Sequence, residues 1–482
     1  MMRRALLIGC VMFVTGVHAQ DLRLESLGSM RYALDDPRTS LSLYRFGQNP
    51  AWMLRDETVS WLTFTPQVGN RWGAYHRIFD PGHVSAYGAG FEGVKSLGSR
   101  GTFRGFAAYG IEERSSVYRS LKRTPYGGEA YYLADTTTGS FTYKGPSVAF
   151  TYSYELFPDL IIGAELGYVL QDGLKDLPTN AKSLFRSIHG SAGVAYDAGD
   201  GLALGVTIRP FDDQERINCD REDLLEVEVF RYRGESVARL RRDAAIDQTV
   251  RRTGEEYSVQ ASWIPMEGLH VGAYGVAGLS RTRDLVEISD EIEFEDGFAQ
   301  RTWYEAAGRA RLLVAPKMTI GCGVSHRFQR EWSKYPSMDL LVWDAEGAET
   351  ALGLGASLGL DDGGTLVAVE GEYTFVHTDS SKYIDNRYAI VRTGEFRVQA
   401  GVEVPISGIG TLRASYSFGG MGVDVRSGGR EVSGQSVSAG IAVPLGSIAH
   451  VEWVTRYTHR STGAATVRDD LSAMLLFRLV EL

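Results

Sequence analysis

From about residue 58 to its end the chain alternates apolar and polar residues with a period of two, and turn residues interrupt the pattern at regular intervals. In 147–156, Val148, Phe150, Tyr152, Tyr154 and Leu156 fall on one face, and Ser147, Ala149, Thr151, Ser153 and Glu155 on the other. A strand sorts such residues onto two faces, whereas a helix would scatter them around its circumference. After Phe157-Pro158-Asp159-Leu160 the pattern resumes, with Ile162, Ala164, Leu166, Tyr168 and Leu170 opposing Gly163, Glu165, Gly167 and Gln171.

The same hairpin recurs around Gly98–Gly101, Asp197–Gly201, Pro265–Gly268, Ala315–Lys317, Asp361–Gly364, Pro405–Gly410 and Pro444–Ser447. With a first strand near 58–68 and a last near 470–482, the pattern predicts 18 strands, with 14 as the lower bound. Short turns alternate with longer connections over 113–141, 172–186, 210–254, 281–301, 329–349, 377–394, 420–435 and 460–469. Short turns at one end and long loops at the other predict a single all-β domain, a transmembrane antiparallel up-and-down barrel. A soluble β-sandwich also alternates. These strands exceed the usual ~5–6 residues. Aromatics such as Tyr154, Tyr196, Tyr257, Trp263, Tyr373, Phe396, Tyr416 and Trp453 sit near strand ends, as in interfacial girdles. The last strand, with Leu471, Ala473, Leu475, Phe477 and Leu479 on one face, resembles a terminal barrel-assembly strand but ends in Leu482 rather than an aromatic.

Arg3 and Arg4, the apolar stretch Ala5–Val17 and Val17-His18-Ala19 read as a signal peptide over 1–19. Beyond it no apolar run reaches the ~18–20 residues of a spanning helix. Residues 20–57 then form a short periplasmic or hatch segment and 58–482 the barrel, which places the protein in the outer membrane. Loss of Arg3 and Arg4 leaves 48 basic and 60 acidic residues, a net charge of 48 − 60 = −12. Such a chain repels phosphates, so nucleic acid is excluded as a partner. The expected partners are outer-membrane lipids and, as a second reading, another envelope protein. Cys219, in a polar loop, and Cys322, in a strand, are too few for a disulfide framework.

If the apolar face meets lipid, the charges fall inward. The candidate lumen-lining residues are Arg104, Glu155, Glu165, Arg209, Glu305, Arg309, Arg311, Arg327, Glu370, Glu372, Arg397, Glu403, Arg413, Glu452 and Arg456, with Glu92, Glu112 and Arg478 on the same face. An arginine turned to the bilayer midplane would cost about 2–4 kcal/mol, which decides the register. These charges read either as a conduit that tunes permeation or as a lumen closed by Arg–Glu pairs. In the longest loop Arg239, Arg241, Arg242, Arg251 and Arg252 form a basic cluster, either a constriction, a lipopolysaccharide site or a solvated loop. Near 284–296, Asp284, Glu287, Asp290, Glu291, Glu293, Glu295 and Asp296 match no defined calcium loop and read as solvated. No catalytic, metal or cofactor motif stands out. Ser325 and His326 are strand neighbours and point to opposite faces, so the chain reads as a non-enzyme.

Phe46-Gly47-Gln48-Asn49-Pro50-Ala51 resembles the Asn-Pro-Ala signature of the outer-membrane lipid transporters. That motif, followed by Tyr132-Leu133-Ala134-Asp135-Thr136 and by Gln171 to Asn180, resembles an uncharacterised family of Bacteroidetes-type outer-membrane barrels (DUF6850-like) over residues 46–220. The resemblance implies fold and location and brings no activity. The leading expectation is a channel or transporter for small solutes, and the alternative is a closed barrel serving as a structural or assembly partner. About 38 residues, Gln20 to Glu57, are too few for the separate plug of a TonB-dependent transporter.

Overall fold

The computed structural model describes residues 27, 30–34, 41–76, 80–118, 120–123, 131–135, 138–176, 180–219, 229–233, 237–241, 246–289, 292–361, 363–424, 430–462 and 466–480. The expected signal peptide lies outside them. The strands are β1 (Trp61–Gly73), β2 (His83–Ser96), β3 (Gly101–Val117), β4 (Tyr131–Asp135), β5 (Gly139–Phe157), β6 (Leu160–Lys175), β7 (Lys182–Gly199), β8 (Leu202–Cys219), β9 (Val229–Arg233), β10 (Val237–Arg241), β11 (Ile246–Met266), β12 (Leu269–Ser289), β13 (Ile292–Ala315), β14 (Met318–Tyr335), β15 (Leu340–Gly359), β16 (Leu366–Lys382), β17 (Arg387–Ile406), β18 (Gly410–Asp424), β19 (Arg430–Leu445), β20 (Ala449–Thr462) and β21 (Thr466–Val480).

Eighteen of these form one closed antiparallel sheet, in which each strand pairs with the next and β21 returns to β1, from Trp61↔Val480 to Gly73↔Arg468. Closure leaves no edge, so every ladder group is paired where water is absent. Each of the eighteen expected strands is present. The faces divide as the alternation requires. Phe91, Tyr109, Phe150, Leu166, Val206, Val259, Tyr304, Leu354 and Phe375 lie exposed on the outside, while Thr151, Ser153, Thr207, Gln260, Glu370, Gln399 and Ser438 are buried on the inside.

The strands run further on the long-loop side than expected. The region 281–301, expected as a loop, is mostly ladder, because β12 reaches Ser289 and β13 begins at Ile292. The backbone ladder needs only N–H and C=O groups. Beyond the apolar belt the side chains turn polar on both faces, and the period-two signal fades while the pairing continues.

β4, β9 and β10 form a separate three-stranded sheet, order β10-β9-β4, contributed by two long-side connections. Beside it Lys175 and Asp135 form an ion pair with neither side chain exposed (0% each). Leu121, Ala181, Ile217, Cys219, Val229 and Val286 pack as an apolar cluster. Cys219 is thus buried rather than in a polar loop, because β8 extends to it, and Cys322 is exposed; neither forms a disulfide among the described residues.

The described part of 27–57 lies inside the barrel, in the half nearest the short turns. It includes a 3-10 turn, Pro50–Trp52, and one α-helical turn, Met53–Asp56. Wall glycines make room for it. A Cβ on Gly355 would lie 2.7 Å from the Ala33 nitrogen, and one on Gly272 would lie 2.8 Å from the Leu41 Cβ.

Candidate functional site

The N-terminal segment and the wall it touches form the site. Asn49 is fully buried and caps the 3-10 turn, its Oδ1 accepting from the Ala51 N–H at 3.0 Å. Its Nδ2 lies 3.1 Å from the Val194 carbonyl, 3.2 Å from the Val206 carbonyl and 3.1 Å from Gln260 Oε1. These acceptors belong to β7, β8 and β11, so one amide ties the segment to three strands. The close approach depends on Gly205, whose Cβ would stand 2.6 Å from Asn49 Nδ2, and on Gly193, whose Cβ would overlap Oδ1. The Ser153 hydroxyl donates to the Ala51 carbonyl. Arg209 donates to the Gln48 carbonyl at 2.6 Å and to its Oε1 at 3.0 Å.

Other candidate charges also meet this segment. Arg104 donates to the Tyr44 hydroxyl and pairs with Glu92. Arg55 pairs with Glu155 at 3.0 Å. Glu370 accepts from the backbone N–H groups of Arg31 and Tyr32 at 2.7 and 2.9 Å, and from the Gln399 amide. The Tyr32 hydroxyl donates to Glu372 at 2.8 Å, and Arg397 reaches the same carboxylate at 3.3 Å. The Arg309 guanidinium faces two aromatic rings of the segment, Tyr32 at 5.5 Å and Phe46 at 4.8 Å.

The remaining candidates pair along the wall. Glu305 accepts from the Tyr274 hydroxyl at 2.6 Å and lies 4.0 Å from Arg327. Glu165 accepts from Thr151 at 3.0 Å. Arg413 bridges Glu403, at 2.9 Å, and Glu452. Arg456 donates to Ser438 at 3.1 Å. Arg311 is half-buried on β13. Residues that the alternation could not single out complete the site: Tyr32, Tyr44, Phe46, Gln260 and Gln399. Their only sequence signals were the Asn-Pro-Ala motif and the glycines interrupting the polar face.

Of the basic loop cluster, the two side chains that are described, Arg251 and Arg252, do not stay together. Arg251 pairs with Asp212 at 2.7 Å while Arg252 stacks on Phe211, because both belong to β11 and neighbours on a strand face opposite ways. Arg242, Asp290 and Glu291 lie outside the described residues, and Asp284 is held by Gln248.

Electrostatics within the segment are set by burial. Burial pushes the Asp56 carboxyl up to about 6, although the Ser42 hydroxyl, at 2.5 Å, and Arg45 pull it down; Glu57 adds to the push. Burial likewise pushes the Tyr32 and Tyr44 hydroxyls up to about 12, so both remain protonated at neutral pH.

Among solved structures the chain is similar to the copper transporter OprC, at 11% identity and a TM-score of 0.50, covering 87% of this chain and 66% of that one. It also matches the toluene transporter TbuX of Ralstonia pickettii, at 11% identity and a TM-score of 0.34 over 95% and 97% of the two chains. OccAB3 of Acinetobacter baumannii matches at 12% identity and a TM-score of 0.39, over 87% and 99%. At such identities the likeness to OprC speaks for the barrel fold alone. No curated protein matches the chain. The model of a family of unknown function, DUF6850, matches residues 50–291, half of the sequence, and the chain belongs to that family.

Proposed function

We propose that the protein is an outer-membrane barrel that passes small polar solutes, with the described part of residues 27–57 as a hatch in its lumen. The observation that supports this most is the chemistry of the interior. The hatch meets the wall through hydrogen bonds, ion pairs and bare glycine backbone, as at Asn49, Arg209, Glu370 and Glu372. Each of these polar contacts can be exchanged for water. Beside them Leu43 and Leu54 pack on Ile161, Ala195 and Ala203, and Leu27, Met30 and Leu34 on Ala368, two small apolar clusters that a shift of the hatch would uncover. The outer face, rich in aliphatic and aromatic side chains, suits the bilayer.

A second reading is a closed barrel that serves as a structural or assembly partner of another envelope protein. The pairing of Arg413 with Glu403 and Glu452 favours it, since wall charges that neutralise one another need no solute.

Single-channel recording in planar bilayers tests the first reading. The expected result is discrete conductance steps that grow when the hatch is loosened by Asn49→Ala. A folded protein, verified by heat-modifiable gel mobility, that carries no current in either form would refute it. Stable co-purification with a second envelope protein would then support the alternative.

A further inference from the structure

Among the wall arginines Arg309 is set apart. Its neighbours directly across the ladder are Gly272 on β12 and Gly323 on β14, so no side chain stands opposite it on either adjacent strand. The rings of Tyr32 and Phe46 cover its planar face. Such stacking engages the π face of a guanidinium and leaves its N–H edge, a fork matched to oxyanions, free to donate. No hydrogen bond or carboxylate partner engages that edge among the described residues, although the side chain is only partly exposed.

Arg31, next to Tyr32 in the hatch, adds a second positive charge that acts on Arg309. Only its backbone N–H is engaged, by Glu370, while its side chain is exposed and has no ion pair among the described residues. The surrounding acids are engaged elsewhere. Glu372 takes the Tyr32 hydroxyl and Arg397, Glu305 takes the Tyr274 hydroxyl, and Glu370 takes two backbone N–H groups and Gln399. Arg309, partly sheltered from water, thus feels the positive charge of Arg31 and, more weakly, the carboxylate of Glu372, whose oxygens are already taken by Tyr32 and Arg397.

We propose that Arg309 and Arg31 form an oxyanion site between wall and hatch, which takes the carboxylate or phosphate group of a small solute. Arg309 grips the oxyanion through two N–H groups, and Arg31 closes on it from the hatch. This deepens the conduit reading and rests on it for the ligand's role, though not for its binding.

The test is calorimetric titration of the full chain in detergent with succinate and with inorganic phosphate at low salt. At least one is expected to bind saturably and more weakly as sodium chloride is added. Arg31→Gln, which removes an exposed group, should weaken binding several-fold. Arg309→Lys keeps the charge but loses the fork and should weaken it about tenfold or more. Arg330→Gln, on the outer face, should leave it unchanged. The proposal is overturned if neither anion binds, if Arg31→Gln and Arg309→Lys bind like the wild type, or if Arg330→Gln weakens binding as much as they do. Binding of a short-chain phosphatidic acid with no response to either small anion would also overturn it, because the ligand would then be a lipid. Binding without conductance would refute the conduit reading and leave the site standing. Conductance without binding would do the reverse.

Discussion

The two ends of the lumen differ in how much water reaches their polar ties. At the long-loop end the small sheet of β4, β9 and β10 adjoins an apolar cluster and the Lys175–Asp135 pair, sealed from water. At the short-turn end the hatch also buries small apolar clusters against the wall, but it rests on glycine backbone and several of its polar ties are partly wet, among them Arg55–Glu155 and Arg209–Gln48. A dry contact breaks all at once, because each group removed leaves its partner buried and unpaired. A wet one can give way bond by bond, with water replacing each lost partner. The long-loop end is therefore the more firmly fixed, and the hatch end, whose apolar clusters are flanked by wet ties, the more adjustable.

The sharpest way to break this comparison is at the dry end. Lys175→Met should cost about 3–5 kcal/mol of local stability, because Asp135 is left charged and buried. The checking measurement is protease nicking near residue 135, which should rise steeply, whereas Lys175→Met with Asp135→Leu should restore much of the protection. At the hatch, Asn49→Ala removes one capping bond and the ties to β7, β8 and β11. Its expected cost is about 3 kcal/mol of docking free energy. Amide exchange over 42–56 should quicken while the barrel ladder stays protected, and an unchanged hatch would end the adjustable reading.

Asp56 sharpens the comparison by pH. Its carboxyl, raised to about 6 in the docked hatch, is the group with the higher folded value, so its neutral form is favoured by docking. The resulting penalty is fully present above about 6 and disappears as pH falls toward the ordinary value near 4. The hatch should therefore hold more tightly at pH 5 than at pH 8. Asp56→Asn should remove most of that difference, tightening docking by about 2 kcal/mol at pH 8 and by about half as much at pH 5. Exchange protection corrected for intrinsic rates reads this, and an Asp56→Asn protein with the wild-type pH profile would contradict it. The smallest effect is expected from Tyr44→Phe. Arg104 keeps Glu92 and loses only the hydroxyl, at about 1 kcal/mol. Its hatch exchange should change far less than that of Asn49→Ala.

The barrel could be read from the sequence because its cause is local. A residue and its second neighbour meet the same solvent, so Val148, Phe150 and Tyr152 against Thr151 and Ser153 announce both strand and register without any distant contact. The same logic failed where both solvents are water, which is why β12 and β13 run nine or more residues into a stretch that looked like loop: 281–289 and 292–301. It also could not say which polar side chains would meet. The carbonyls that hold Asn49 lie 145 and 157 positions away, and Gln260 lies 211 away. That Arg413 would find two acids while Arg309 would find two aromatic rings depends on where a separate segment lies inside the closed sheet. Alternation records only the solvent on each face, and partner choice in the lumen is set by three-dimensional proximity, which only the folded barrel supplies.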